Sequence, residues 1–556
     1  MKTPKLILPL AAMALWLMPT ALAYGDNAPF VSEAWVADTG KGSYINPIIN
    51  ADYSDPDVVR VGDDFYMTAS SFTQSPGLPI LHSTDLVNWE IVNNALPIIE
   101  PADFYSTTRY GKGVWAPSIR YHNGEYYIYY GDPDFGVYMV KTKDPRGAWE
   151  KPVLVAAGKG IIDTTPLWDD DGRAYLVNAW AASRSGMNSV LTVTEMDPDG
   201  TRLIGNPVMV FNGLDNDGAN HTVEGPKFYK LNDYYYILAP AGGVEKGWQL
   251  AMRSKSPFGP YERKVVMAQG NTDINGPHQG ALVDTPDGNY WFVNFQDKGM
   301  LGRVLHLNPV NWVDGWPVMG IDKDGDGCGE PVTGGVKPVK SSVVKTPQDS
   351  DDFNSPQLAP QWSWSANYQP LFGFPSSDGY MRVYGHFLSE DFVNFWEVPN
   401  LLTQKFPSET FTATAKVKVS ARDDAQQSGL IVMGRDYARL TVEKAGNDFD
   451  ISLITCKDAE DGNKETVIPV GKIPAHEYNA GAKTVYDCDV WLRVSVKNGL
   501  CSFSYSTDGK KFTPVKQTFN AREGKWIGAR VGIFSVVPST QHDRGWIDID
   551  SFTVTK

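Results

Sequence analysis

Three acidic residues sit where the chain changes direction. Asp55 lies in "YSDPDVVRVGDDFYM", Asp163 in "IIDTTPLWDDDGRAYLV" and Glu224 in "HTVEGPKFYKLNDYYYIL". Each precedes a proline and then a hairpin pattern. Asp55 also suits an Asx turn before proline, and Asp163 could cap a turn. Glu224 has no such reason to be there, since turns take Gly, Asn or Asp. Paired carboxyl groups do general acid–base work, and splitting a glycosidic bond needs such a pair. One carboxylic acid protonates the leaving oxygen and one carboxylate activates water, about 6.5–9.5 Å apart when water attacks directly. The acid must keep its proton near neutral pH, through burial or a like charge nearby. A third carboxylate would supply that charge.

Acids so far apart in sequence can cooperate only if the fold repeats. One unit recurs: "SDPDVVRVGDDFYMTASS", "WAPSIRYHNGEYYIYYGD", "IDTTPLWDDDGRAYLVNAW", "VEGPKFYKLNDYYYILAPA" and "HQGALVDTPDGNYWFVNFQ". Each has a short apolar strand, a Gly- or Asp-rich turn suited to a tight hairpin, and an aromatic strand. Another strand-like stretch follows each unit. A period of roughly 45–60 residues with about four strands marks a β-propeller blade. Five units therefore predict a five-bladed propeller. The first strand of each blade lines the channel, so the residues that open the units converge at one end. These are Asp55, Trp115 with Pro117, Asp163, Glu224 and His278. His278, in "GPHQG", also reads as a channel histidine satisfied by its neighbours.

The pattern stops in the Pro-, Gly- and Ser-rich stretch "GEPVTGGVKPVKSSVVKTPQDSDDFNSPQL", which reads as a linker. Beyond it, "FTATAKVKVSA", "GLIVMGRDYARLTVEK" and "VWLRVSVKNGLCSFSYSTDGKKFTPV" alternate apolar and polar residues. That period predicts a β-sandwich. The expected all-β organisation is a signal peptide over residues 1–23, a propeller over 24–340, a linker over 341–352 and a sandwich over 353–556.

The composition agrees with this reading. The chain has 17 Trp, 26 Tyr and 52 Gly, many aromatics and many turn formers, as all-β proteins do. Flat aromatic faces also suit stacking on sugar rings, although most are expected in the core. A net charge of -15 argues against nucleic acid and against anionic membranes as partners. The start, "MKTPKLILPLAAMALWLMPTALAYGDN", has two lysines, an apolar run and Ala21-Leu22-Ala23. It reads as a secretory signal cleaved after Ala23, so the expected location is periplasmic or secreted. Export permits disulfides among Cys328, Cys456, Cys488 and Cys501, but their pairing is not deducible. In "DKDGDGCGE", Asp322, Asp324 and Asp326 alternate like the start of a calcium loop, with Thr333 where an EF-hand loop has its terminal Glu. This stretch is read either as a structural calcium site or as a solvated acidic turn.

The five motifs resemble glycoside hydrolase family 43. The stretches that carry the likeness are "NPIINADYSDPDVVRVGDDFYMTASSF", "GVWAPSIRYHNGEYYIYY", "IIDTTPLWDDDGRAYLV", "VEGPKFYKLNDYYYIL" and "LGRVLHLNPVNWVDGWPV". From "DDFNSPQLAPQWSWSAN" onward the chain is similar to the concanavalin-like sandwich of many exo-acting members. The resemblance implies an inverting hydrolase with Asp55 as general base, Glu224 as general acid and Asp163 raising and orienting that acid. It implies that Arg303 holds sugar hydroxyls near the base. It places His278 on the channel axis, near a water-bound metal in some relatives. Phe72 and Trp115 become apolar walls of the sugar pocket. Dedicated β-xylosidases of the family tend to have His-Pro before the base and a Trp in the loop after the second strand. Here the residues are "YSDP" and "SSFTQSPGLP", closer to members that remove L-arabinofuranose, or both arabinose and xylose. The expected substrates are arabinoxylan, xyloglucan, arabinan or xylo-oligosaccharides, with no cofactor required. The alternatives are a non-catalytic carbohydrate-binding propeller and an endo-arabinanase.

Overall fold

The computed structural model describes residues 29–481 and 483–556, so the expected signal segment lies outside the described residues. Five four-stranded antiparallel sheets follow one another in chain order. Blade 1 is Asp57–Val61, Asp64–Thr68, Gly77–Ser83 and Glu90–Leu96. Blade 2 is Trp115–His122, Glu125–Asp132, Gly136–Thr142 and Val153–Ala157. Blade 3 is Ile161–Trp168, Ala174–Trp180, Val190–Met196 and Val208–Asn212. Blade 4 is Lys227–Leu231, Tyr234–Ala241, Trp248–Ser254 and Glu262–Met267. Blade 5 is His278–Asp284, Tyr290–Asp297, Arg303–Val313 and Trp316–Met319. The middle strands are buried on both faces, which is why Glu125–Asp132 reads "EYYIYYGD" with no polar alternation. Two of the hairpins turn on consecutive left-handed residues, Asn123-Gly124 and Asn232-Asp233, as a two-residue turn between twisted strands requires.

Side chains tie the inner strands together around the channel. Asp57 Oδ2 accepts from Ile119 N at 2.8 Å and from Arg120 Nη1 at 2.6 Å. Ser118 Oγ donates to Thr164 O, and Thr165 Oγ1 donates to Pro226 O, each at 2.7 Å. Leu282 N donates to Tyr229 Oη at 3.0 Å. Among the described residues, no blade borrows a strand from another part of the chain. The ring closes through an irregular segment ahead of blade 1. Ile48 N donates to Leu305 O at 2.7 Å, Leu305 N to Ile49 O at 3.0 Å, and Tyr53 N to Arg303 O at 2.9 Å.

Each inner strand has a residue with a left-handed backbone near its start, within a register shift in blades 2, 3 and 5. These are Asp55 (φ 57°), Ala116 (34°), Asp163 (56°), Gly225 (58°) and Gln279 (26°). Uninterrupted pairing runs on just after each of them, from Asp57↔Thr68, Ser118↔Tyr129, Thr165↔Val177, Lys227↔Leu238 and Gly280↔Asn294. For a non-glycine residue this conformation costs on the order of 1–3 kcal/mol and persists only where the surroundings enforce it. The five kinks are one feature repeated, and they aim side chains at the mouth of the channel.

The C-terminal region is a sandwich of two eight-stranded sheets. Strand Thr410–Ala421 shows its logic: Phe411, Ala413, Ala415, Val417 and Val419 face the core while the intervening residues face outward. The stretch expected as a linker is packed against its neighbours. Gly334–Val336 pairs with Ser43–Ile45, Lys345 Nζ lies 3.1 Å from Glu90 Oε1, and Thr346 N donates to Phe30 O at 3.0 Å. Asp351 and Phe552 exchange backbone hydrogen bonds of 2.8 Å. All four cysteines are free thiols.

Candidate active site

Asp55, Phe72, Trp115, Asp163, Glu224 and Arg303 line one pocket of about 500 Å³ at the mouth of the channel. Asp55, Trp115, Asp163 and Glu224 were expected at the entrance from the order of the repeats, and Arg303 and Phe72 from the family resemblance. Asp55 and Asp163 occupy the left-handed position itself in blades 1 and 3. Trp115, Glu224 and His278 stand one residue earlier in blades 2, 4 and 5, beside Ala116, Gly225 and Gln279.

The Asp55 carboxyl is buried among donors. Ser54 Oγ and Ser70 Oγ both donate to Oδ2, at 2.7 and 2.6 Å. Arg303 Nη1 lies 3.5 Å from Oδ1 and donates to Ser54 Oγ at 2.5 Å. Ala116 N donates to Ser70 Oγ at 2.7 Å. Each serine oxygen therefore already accepts a hydrogen, so its own hydroxyl hydrogen is committed to Asp55. Asp52 fixes the arginine from behind, accepting from Arg303 N at 3.0 Å.

Asp163 is buried and its Oδ2 accepts from Gly225 N at 2.8 Å. Burial, then the charges of Glu224 and Asp55, push its carboxyl well above the usual carboxylate range. Asp163 therefore holds its proton more readily than an ordinary carboxyl group does. Glu224 is the most open of the three, with 37% of its side chain exposed, against 8% for Asp55. Its Oε1 lies 3.3 Å from His278 Nε2. His278 is itself buried and its Nδ1 has no hydrogen-bond partner among the described residues. The histidine touches the acid and stands behind the pocket rather than in its wall. Gly225 is required for two reasons: its φ of 58°, and a Cβ there would fall 2.5 Å from Gln279 Cδ. That is why the acid stands in Glu-Gly-Pro.

Phe72 and Trp115 meet edge to face with ring centroids 6.3 Å apart. On the other side of Trp115 stands Trp526, 6.4 Å away between centroids. Trp526 belongs to the sandwich, is 48% exposed and lines the same pocket. Its loop is clamped to the propeller: Gly528 N donates to Asp52 Oδ2 at 3.0 Å and Ala529 N to Met300 O at 2.7 Å. Sequence reading missed Trp526, Gln279, Val244 and the two serines. Ser54 adjoins Asp55 and could have been found. Nothing in "EGKWIGARVG" marks Trp526.

Oxygens of Asp322, Asp324 and Asp326 lie within 4.8 Å of one another on an exposed loop outside this pocket. They could give three of the six to eight oxygens calcium takes. The same carboxylates also accept from their own loop, Asp322 from Gly325 N and Gly327 N at 2.7 and 2.9 Å.

A propeller with three converging carboxyl groups, closed on one side by a sandwich, is a frame for cleaving sugars. The glycosyl hydrolases family 43 matches residues 44–317, and the β-xylosidase C-terminal concanavalin A-like domain matches residues 350–555. A β-xylosidase of Formosa agariphila is 33% identical over 93% of this chain and 91% of its own. A non-reducing end α-L-arabinofuranosidase of Bacteroides ovatus is 31% identical over 76% of this chain and 81% of its own. The xylan β-1,4-xylosidase structure from Bacillus halodurans superposes with a TM-score of 0.78 at 24% identity, covering 92% of this chain and 100% of that one. The chain belongs to glycosyl hydrolase family 43 and is a glycoside hydrolase.

Proposed function

We propose that the protein is an exported exo-acting hydrolase that removes single pentoses, L-arabinofuranose or D-xylose or both, from hemicellulose or its oligosaccharides with inversion. The observation that carries this reading is the pocket itself. Three carboxyl groups stand at its base, and Trp526 from a second domain walls its side. A walled pocket suits a chain end better than the interior of a polymer, which favours exo over endo action. The names of the two curated relatives, a β-xylosidase and a non-reducing end arabinofuranosidase, support the choice of sugars.

In this reading Asp55 is the general base. Its donors leave its carboxylate fixed in one orientation, and it takes a proton from the attacking water. Glu224, the exposed carboxyl, gives its proton to the leaving oxygen. Asp163 holds the Gly225 turn that carries Glu224 and so orients it. Arg303 serves both Asp55 and the sugar hydroxyls, and Phe72, Trp115 and Trp526 offer apolar faces. No step passes through a metal. Calcium at the Asp322 loop would be structural.

The test is proton NMR of the mature protein acting on arabinoxylan, arabinosylated xyloglucan, arabinan and xylo-oligosaccharides. Free pentose appearing first as the inverted anomer is expected. Oligosaccharides as first products would replace the exo reading with an endo one, and the retained anomer would remove Asp55 from its role. Binding with no release from any of these glycans would remove the proposed substrates.

A further inference from the structure

A second cavity lies in the seam between propeller and sandwich, away from the three carboxyl groups. Tyr53, Gln74, Asp349, Trp362, Lys405 and Arg530 are among its walls. Two of these residues are cations without an acid. Among the described residues, no carboxylate oxygen lies within 4.0 Å of either Lys405 or Arg530. The Lys405 ammonium rests over the Tyr53 ring at 4.8 Å and donates no hydrogen bond there. Arg530 is nine-tenths buried and spends three of its five N–H groups. Nε donates to Thr403 Oγ1 at 2.8 Å, and Nη2 to Ser363 Oγ and Thr403 O at 2.6 and 2.8 Å. Its Nη1 hydrogens have no acceptor among the described residues.

Two cations on directly paired strand positions, Lys405 partly buried and Arg530 almost wholly so, are costly unless something balances them. Burial pulls the lysine down to about 8 and the arginine down to about 10. The acid whose field reaches both is Asp52, which accepts from Arg303 N and Gly528 N and makes no ion pair with either cation, so it balances the two only from a distance. Asp349 lines the cavity too, yet burial pushes it up to about 6 and Ser32 Oγ donates to it at 2.5 Å. Lys345, also in the wall, is already paired with Glu90. The cavity therefore offers positive charge and unspent donors to whatever enters it.

We propose that this seam is a binding site for a small oxyanion, a carboxylate or phosphate group, held between Lys405 Nζ and Arg530 Nη1. The anion would pair directly with two cations that Asp52 balances only from a distance, and would strengthen the docking of the two domains. The site does not depend on which sugar the channel pocket accepts.

The test is thermal unfolding of the whole protein with sodium phosphate or sodium acetate at constant ionic strength, chloride making up the balance. A saturable rise in Tm is expected, with the more effective anion identifying the ligand's group. In Lys405→Met the apparent affinity should fall at least about 10-fold, as loss of a charge-assisted partner implies. A rise that follows ionic strength alone, or that is equal in the variant, would overturn the proposal. Wild-type crystals soaked in selenate give a readout that does not depend on the variant folding. An anomalous peak between Lys405 and Arg530 is expected, and its absence there would also overturn the proposal.

Discussion

Asp163 Oδ2 accepts the backbone N–H of Gly225 at 2.8 Å, so one carboxyl group grips the peptide next to Glu224. Blade 3 thereby sets the position of a side chain that blade 4 carries. In the proposed mechanism this contact lets Asp163 orient Glu224 without a direct side-chain bond, because it fixes the turn.

The roles of acid and base separate by leaving group. Glu224→Gln should lower kcat by about 10²–10⁴-fold on natural glycosides and much less on aryl glycosides, whose leaving oxygen needs no proton. Asp55→Asn should lower kcat similarly on both. Steady-state kinetics on the two substrate types check this. Equal loss on both for Glu224→Gln would take it out of the acid role.

Asp163 leaves a signature in stability as well as in rate. Its folded-state carboxyl titrates above its unfolded value because of burial, Glu224 and Asp55. Its protonated form therefore stabilises the fold fully below about pH 4, the unfolded value, and that contribution is lost as pH rises through the folded value. Asp163→Asn keeps an acceptor for Gly225 N and has nothing to lose over that range. The Tm of the variant should gain on wild type as pH rises from about 4 to 7, while kcat falls by about 10²-fold. Differential scanning calorimetry across that range checks the sign.

Gly225→Ala should cost about 1–2 kcal/mol from its left-handed backbone alone. It adds a methyl where Gln279 Cδ is 2.5 Å away, so one of the two must move. Urea unfolding should show the loss. Activity should fall more than stability suggests, because the residue that shifts is next to Glu224.

Trp526→Ala should open the pocket on the sandwich side without touching the carboxyl groups. The expected outcome is a loss of about 10-fold in kcat/KM on disaccharides, since an aromatic wall contributes on the order of 1–2 kcal/mol. Longer products should appear from polymer. Chromatography of early products checks it, and an unchanged product pattern would remove Trp526 from the substrate wall.

The five blades were legible because a period repeated five times leaves its mark in local turns and aromatic pairs. Asp55, Asp163 and Glu224 could be found because each opens a unit, and the fold converts that ordinal position into a place around one axis. Residues whose role arises from docking left no such mark. Trp526 reaches the pocket only because Gly528 and Ala529 are clamped to Asp52 and Met300. Ser70 stands in "TASS", where any of several small residues could have faced Asp55. The stretch 341–352 has the composition of a loose linker, and only the folded neighbours of Lys345 and Thr346 show that it is packed.

The propeller closes through Ile48, Ile49 and Tyr53 on Leu305 and Arg303, and the next residues are Ser54 and Asp55. The two ends of the ring therefore meet at the proposed base. Asp52 then ties that junction to Gly528 of the sandwich. A chain synthesised only through blade 5 has all three carboxyl groups but lacks the last wall and the last clamp. The pocket's lining is thus complete only when the segment ahead of blade 1 has met blade 5 and Trp526 of the second domain has docked beside it.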